Sequence, residues 1–169
     1  MLNSAMCGRK TLSRDIKSII EQMNIEEWKD SDLYQPRYNI APSQYSPVII
    51  DKVVRHAKLM RWGLIPNWAT DFSISSKLIN ARSETLLQKP SFQNLVPSRR
   101  CIVISDGYFE WKRSSGRSIP YYIHHPEKNL LPMAGLWDIW RKPNVFDSTS
   151  QTCESDESHV FCFFKASPF

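Results

Sequence analysis

Four cysteines stand in this chain of 169 residues, Cys7, Cys101, Cys153 and Cys162, and no two of them are separated by the two residues of a paired zinc motif. That spacing argues against a structural zinc site, and no other metal or cofactor motif is visible. No Cys-His-Asn or Cys-His-Asp arrangement is recognisable, which weighs against general proteolysis. No apolar run approaches the roughly 20 residues that a membrane-crossing helix needs. Residues 1–10 lack the apolar core of a secretory signal. The thiols are therefore expected to be reduced, in an intracellular compartment, with no membrane partner. There is no internal repeat.

What is present is ordinary in bulk. Hydrophobic residues make up 41% and charged residues 23%, and the length fits one domain with a real core. The 22 Lys and Arg against 17 Asp and Glu leave a net charge of +5, compatible with a nucleic-acid partner without requiring one. Six Trp, six Tyr and eight Phe either fill that core or offer faces for unpaired bases, and composition does not separate the two.

Hydrophobic spacing predicts a helix over 11–28, where Ile16, Ile19, Ile20 and Met23 recur on one face behind capping residues Ser13 and Asp15. Residues 30–47, rich in Pro, Tyr and Ser, read as an ordered loop, and 66–76 as another. Strands are expected over 48–50 and 57–62, flanking a turn near Lys52. Others are expected over 101–104, 108–112, 120–124 and 133–139. Residues 86–96 read as a short helix interrupted at Pro90. Short strands with turn signals every ten or so residues point to an α+β chain: a mostly antiparallel, barrel-like sheet with a few peripheral helices. The stretch 142–158 is polar and turn-rich and is expected to be mobile.

The chemistry begins at Met6-Cys7-Gly8-Arg9. A cysteine directly behind a methionine becomes, once the preceding residues are removed, a chain start bearing an α-amine and a thiol on adjacent carbons. Their ordinary pKa values, about 7.7–8.0 and about 8.5, leave both partly nucleophilic near neutrality. Such a pair attacks an aldehyde: the amine forms an imine and the thiol closes a thiazolidine on it. Taken alone, Cys7 reads equally as a small buried apolar residue. Asn80 and Arg82 lie in Asn80-Ala81-Arg82-Ser83-Glu84-Thr85, two residues apart and so on one face of an extended segment. Glu110 lies in Asp106-Gly107-Tyr108-Phe109-Glu110-Trp111-Lys112, among aromatics whose desolvation would raise a carboxyl pKa. Two further segments are Arg37-Tyr38-Asn39-Ile40-Ala41-Pro42 and Arg61-Trp62-Gly63-Leu64-Ile65-Pro66-Asn67-Trp68.

In this order, from Met6 to about Trp137, these blocks resemble the SOS-response-associated peptidase family, the abasic-site-processing proteins that shield single-stranded DNA by cross-linking to it. The resemblance implies that Cys7 reacts with the ring-opened aldehyde of an abasic deoxyribose and forms a stable thiazolidine. It implies that Asn80 orients the amine and sugar, and that Glu110 moves protons during imine formation and ring opening. Arg9 and Arg82 match residues that hold phosphates flanking the lesion, and Pro42 and Trp68 match residues lining the DNA path. A turn cap for Asn80, a solvated strand face for Glu110 and a core position for Trp68 are the structural alternatives; Trp62 reads as core. The implied partner is single-stranded DNA containing abasic sites, with replication-fork proteins not visible in the sequence. The chain is expected to be a monomer, nuclear in a eukaryote and cytoplasmic in a bacterium.

Two features depart from the family. Residues 1–6 precede Cys7 and are expected to be removed, by a start at Met6 with loss of the methionine or by self-processing. The family's His-x-Arg-Met-Pro motif has no counterpart here, and His159 stands outside its context. The domain organisation expected is a leader over 1–6, the family-like domain over 7–140 and a divergent, partly mobile tail over 141–169. The sheet is then expected to be incomplete at the C-terminus, with 160–164 as an edge strand standing in for a missing one. The alternatives are a non-catalytic single-strand binder, a self-processing peptidase or an inactive truncated product.

Overall fold

In the run Val160-Phe161-Cys162-Phe163, every side chain is apolar, which is the pattern of a strand covered on both faces. The computed structural model, which describes residues 8–50, 53–142 and 157–165, places that run at the centre of the fold. The strands are β1 (Arg9–Leu12), β2 (Arg37–Ile40), β3 (Tyr45–Ile49), β4 (Ala57–Trp62), β5 (Asn80–Arg82), β6 (Arg100–Val103), β7 (Gly107–Ser114), β8 (Arg117–His124), β9 (Met133–Arg141) and β10 (Glu157–Lys165). One α-helix, α1 (Ile16–Met23), stands among the described residues.

The larger sheet runs β4-β3-β6-β9-β10, and β10 returns to pair with β4, so five strands close a barrel, with β5 added alongside β10. β10 lies antiparallel to β9, from Glu157 opposite Arg141 to Phe163 opposite Gly135. It lies parallel to β4 and to β5, where Phe163 faces Asn80. The barrel-like sheet is present, and the expectations that it is incomplete at the C-terminus and that 160–164 is an edge strand are corrected: the strand at 157–165 has neighbours on both sides and seals the barrel. The antiparallel description holds for most pairs and fails where β10 meets β4 and β5. Alternation along β10 sends Phe161 and Phe163 to the barrel interior and Val160 and Cys162 to a second apolar layer.

The interior is organised by Trp62, fully buried, with Phe161 stacked at 6.4 Å and Phe163 edge-on at 4.8 Å. Its indole N–H donates to Ile79 O at 3.0 Å, so the largest apolar side chain has its polar atom satisfied. Gly135 is required by close approach: a Cβ there would stand 2.6 Å from Cys162 O and 3.0 Å from Cys101 Sγ. The second layer, with Leu64, Ile65, Phe92 and Trp140, packs segment 64–96 onto the outside of the barrel.

A separate four-stranded sheet, β2-β1-β7-β8, flanks the barrel, and β8 is its edge. The expected helix over 11–28 is shorter than its apolar spacing implied. Thr11 and Leu12 belong to β1, and α1 begins where the Asp15 carboxylate accepts from Ser18 N at 2.9 Å. Asn24, in the left-handed region at φ 48°, ends it. The loop expected over 30–47 contains β2 and the start of β3. Residues 86–96 form successive turns (Phe92 N to Lys89 O, Leu95 N to Phe92 O) instead of a helix. The turn near Lys52 and most of 142–158 lie outside the described residues.

Candidate functional site

β1 joins the flanking sheet to the barrel through Lys10 and Leu12, which share a face; Leu12 is buried in the barrel's core. Lys10 is fully buried; its ammonium donates to Ile104 O at 2.7 Å and to Ser46 Oγ, and stands 5.9 Å from the centre of the Phe163 ring. Ser46, Ile104 and Phe163 all belong to the barrel or its rim, so the Lys10 face of β1 is the face turned towards the barrel. Lys10 pairs with Tyr108 across the β1–β7 ladder, and Glu110 follows Tyr108 on the same side of β7. Glu110 therefore lies on the barrel side of the flanking sheet, half-buried. Asn80 comes from the other direction. It opens β5, opposite Phe163, with the preceding carbonyl of Ile79 held by Trp62 Nε1 and Phe163 N. Phe163 is thus a shared neighbour: Asn80 lies beside it on β5 and the Lys10 ammonium lies near its ring, while Glu110 stands on the Lys10 side of β7.

Arg9 occupies the opposite, solvent-exposed face of β1, where its guanidinium donates to Asn39 Oδ1 at 3.1 Å. Its strand partner is Phe109, the neighbour of Glu110. Arg82 is exposed and Ala81 between it and Asn80 is fully buried, so the two polar side chains share one face as the sequence spacing indicated. Pro42 sits in a tight turn: Gln44 N donates to Ala41 O at 3.2 Å, Ala41 N to Gln44 Oε1 at 2.9 Å, and Ser43 N to Trp62 O at 2.7 Å. Beside this turn opens a cleft of about 580 Å³ lined by Tyr34, Arg37, Gln44 and Tyr45.

Trp68 is 59% exposed, in contrast to Trp62. The loop that carries it is pinned from below: Trp140 Nε1 donates to Ala69 O at 2.9 Å, and Phe72 meets Trp140 edge-on at 4.7 Å. Arg61 lies 5.0 Å over the other side of this support, on the Phe72 ring, and donates to Ser75 Oγ. With the loop fixed beneath it, Trp68 projects into solvent. Cys7 lies outside the described residues, as does Cys153. The two cysteines that are described, Cys101 and Cys162, are buried; burial pushes the Cys101 thiol well up and the Cys162 thiol up to about 12, so neither is a nucleophile near neutrality. Among the described residues no three His, Cys, Asp or Glu side chains gather as a metal set.

Lys10 and Asn39 were not singled out by the sequence. The signal for Lys10 was the strand character of Arg9-Lys10-Thr11-Leu12, which the helical spacing further on obscured.

The profile of the SOS response associated peptidase (SRAP) family matches residues 6–158. Abasic site processing protein YoqW of Bacillus subtilis is 46% identical over 140 residues, covering 82% of this chain and 62% of YoqW. Abasic site processing protein HMCES of Xenopus tropicalis is 36% identical over 149 residues, covering 69% of this chain and 44% of HMCES. The chain thus spans less than two thirds of the length of either relative. A solved structure of a Bacteroides thetaiotaomicron protein superposes with a TM-score of 0.77 at 26% identity, over 95% of this chain and 68% of that one.

Proposed function

The chain belongs to the SOS response-associated peptidase family, and on that premise we propose that it processes abasic sites by covalent capture of single-stranded DNA through Cys7. The observation that carries this reading is the register of β1 on β7. Arg9 faces Phe109, next to Glu110, and the two residue steps from Arg9 to Cys7 span at most about 7 Å. A chain start at Cys7 is therefore within reach of the stretch of β7 that carries Glu110.

The chemistry balances without a cofactor. Residues 1–6 are removed, exposing the Cys7 α-amine. The amine adds to the C1′ aldehyde of the ring-opened sugar, and the carbinolamine loses water to give an imine. The thiol then adds to the carbon of the protonated imine, its proton passing to the Glu110 carboxylate, and the thiazolidine closes with one water lost overall. Glu110 gives a proton to the departing hydroxyl and later takes the thiol proton. The Asn80 amide orients the amine and the sugar hydroxyls. Arg82 and Arg9 are the candidates for the flanking phosphates, and Pro42 and Trp68 for the path of the strand; such contacts hold a strand without reading its sequence.

The test is a denaturing gel of the processed protein incubated with a single strand bearing one abasic site. A shifted band is expected for the wild type and none for Cys7→Ala. A wild type that binds the strand but gives no covalent band makes the protein a non-catalytic binder, and a band that survives Cys7→Ala requires another nucleophile.

A further inference from the structure

From Gly107 to His124 the chain forms one antiparallel ribbon, β7 with β8, paired without interruption from Gly107–His124 to Ser114–Arg117. Beyond Trp111 it leaves the body of the protein: residues 112–122 are all exposed. An isolated exposed ribbon with apolar and aromatic side chains is unfavourable in water unless something covers it. Its composition indicates what that is. The ribbon carries Lys112, Arg113 and Arg117 and a single carboxylate, Glu110, at its root.

The register sorts these side chains by face. Glu110 pairs with Tyr121, Lys112 with Ile119, and Ser114 with Arg117, so all six lie on one face. Phe109, Trp111 and Arg113, with Tyr122, Pro120 and Ser118, lie on the other. That second face is closed near its root by its own contacts: Tyr122 packs on Phe109 at 5.0 Å and on His124 at 5.3 Å, and its hydroxyl meets Thr11 Oγ1 at 2.7 Å. It does so by lying across Gly107, where a Cβ would stand 2.7 Å from the Tyr122 ring. The Glu110 face presents Tyr121, 50% exposed, beside Glu110, then Lys112 and Arg117 at about 7 Å and about 14 Å along the ribbon.

We propose that the β7–β8 ribbon is a DNA arm: the single strand leaving the lesion runs along the Glu110 face, with a base stacked on Tyr121 and successive phosphates on Lys112 and Arg117. This rests on the reading of Glu110 as the lesion-side carboxylate. An aromatic ring followed by two cations complements a strand of unpaired bases and phosphates.

The test uses the full chain and an undamaged 20-nucleotide oligothymidylate, followed by fluorescence anisotropy over a salt series. Undamaged DNA offers no aldehyde, so the measurement is independent of covalent capture. The Lys112→Ala/Arg117→Ala variant is expected to reduce the slope of log K against log salt by about 1.4, two phosphate contacts at about 0.7 each. Tyr121→Ala is expected to weaken binding about tenfold with the slope unchanged, as loss of a stacked base does. Arg113→Ala, on the opposite face, is expected to match the wild type. The proposal is overturned if the double variant keeps the wild-type slope, if Arg113→Ala loses as much as either partner on the other face, or if a duplex of the same length is bound as tightly as the single strand. Failure of capture on abasic DNA with these slopes intact would sink the cross-linking reading and leave the arm standing.

Discussion

The barrel strand β10 and the ribbon strand β8 are both long, and both are rich in large side chains, yet they are used in opposite ways. β10 is buried on both faces: Val160, Phe161 and Cys162 have no exposure and Phe163 has 2%. β8 is exposed along nearly all its length, from Arg117 to Tyr122. The first is held by three neighbouring strands and the second by one. What distinguishes them in sequence is charge and interruption. β10 has an unbroken apolar run, whereas β8 has Arg117, an edge-compatible Pro120 and two tyrosines whose hydroxyls tolerate water. The lesson is that a strand flanked on both sides carries an unbroken apolar run while an edge strand keeps polar and charged side chains, with Lys10 buried where the two sheets adjoin. Asn80 belongs to the larger sheet and Glu110 to the flanking one, so the proposed capture site would need both sheets.

That division is most forcefully tested by breaking the barrel. Trp62→Ala removes the side chain that stacks on Phe161, meets Phe163 edge-on and caps Ile79 O, and is expected to cost about 3–5 kcal/mol in urea unfolding. A loss below about 1 kcal/mol would mean the barrel is not the stabilising region.

The converse experiment is Glu110→Gln. This half-buried position on the ribbon root should leave the unfolding midpoint within about 0.5 kcal/mol of wild type. The rate of covalent capture is expected to fall about a hundredfold, the lower end of what a positioned acid–base group contributes. A capture time course within threefold of wild type would remove Glu110 from the mechanism.

Lys10→Met sharpens the tie between the two regions. It leaves Ser46 Oγ and Ile104 O without their buried donor, an expected loss of about 1–3 kcal/mol by denaturant titration. A gain in stability would show that the buried ammonium is a net cost and that an apolar seam serves better.

The smallest effect concerns His159, on β10, whose pKa is lowered by burial first and by Lys58 second. The folded state disfavours its protonation, so the unfolded chain binds more protons once the pH drops below about 6.5, and stability declines from there as pH falls. Asp138, raised by burial, acts with the opposite sign, and its contribution fades as pH rises through its folded value. A His159→Gln chain isolates the histidine: its stability is expected to vary less between pH 6.5 and 5 than the wild type's, and an unchanged slope would contradict the assignment.

Much of this architecture was legible in the residues. The strand at Ala57–Trp62 was legible from the turn signals beside it, and the β7 and β9 runs were visible from their aromatic and β-branched content. Placing Asn80 and Arg82 on one face needed only the two-residue period of a strand. Three features were hidden because they depend on partners distant in sequence. β1 is four residues long and adjoins a helical pattern, so its pairing with β2 and β7 decides its state. The closure of the barrel depends on β10 meeting β4 and β5 in parallel, which no local pattern encodes. The turns at 86–96 keep helical apolar spacing, but Pro90 and packing against Trp140's layer hold them apart as separate turns. Lys10 was hidden for the same reason as β1: its burial is a property of the seam, not of its neighbours in the chain.

The central claim, that a chain start at Cys7 traps an abasic sugar, is tested most directly by intact mass measured before and after exposure to abasic single-stranded DNA. The account predicts a protein beginning at Cys7 that converts to an adduct weighing the sum of protein and DNA less one water, with no adduct in Cys7→Ala. An adduct on a chain that still carries residues 1–6, or no adduct on a chain that has lost them, would contradict it.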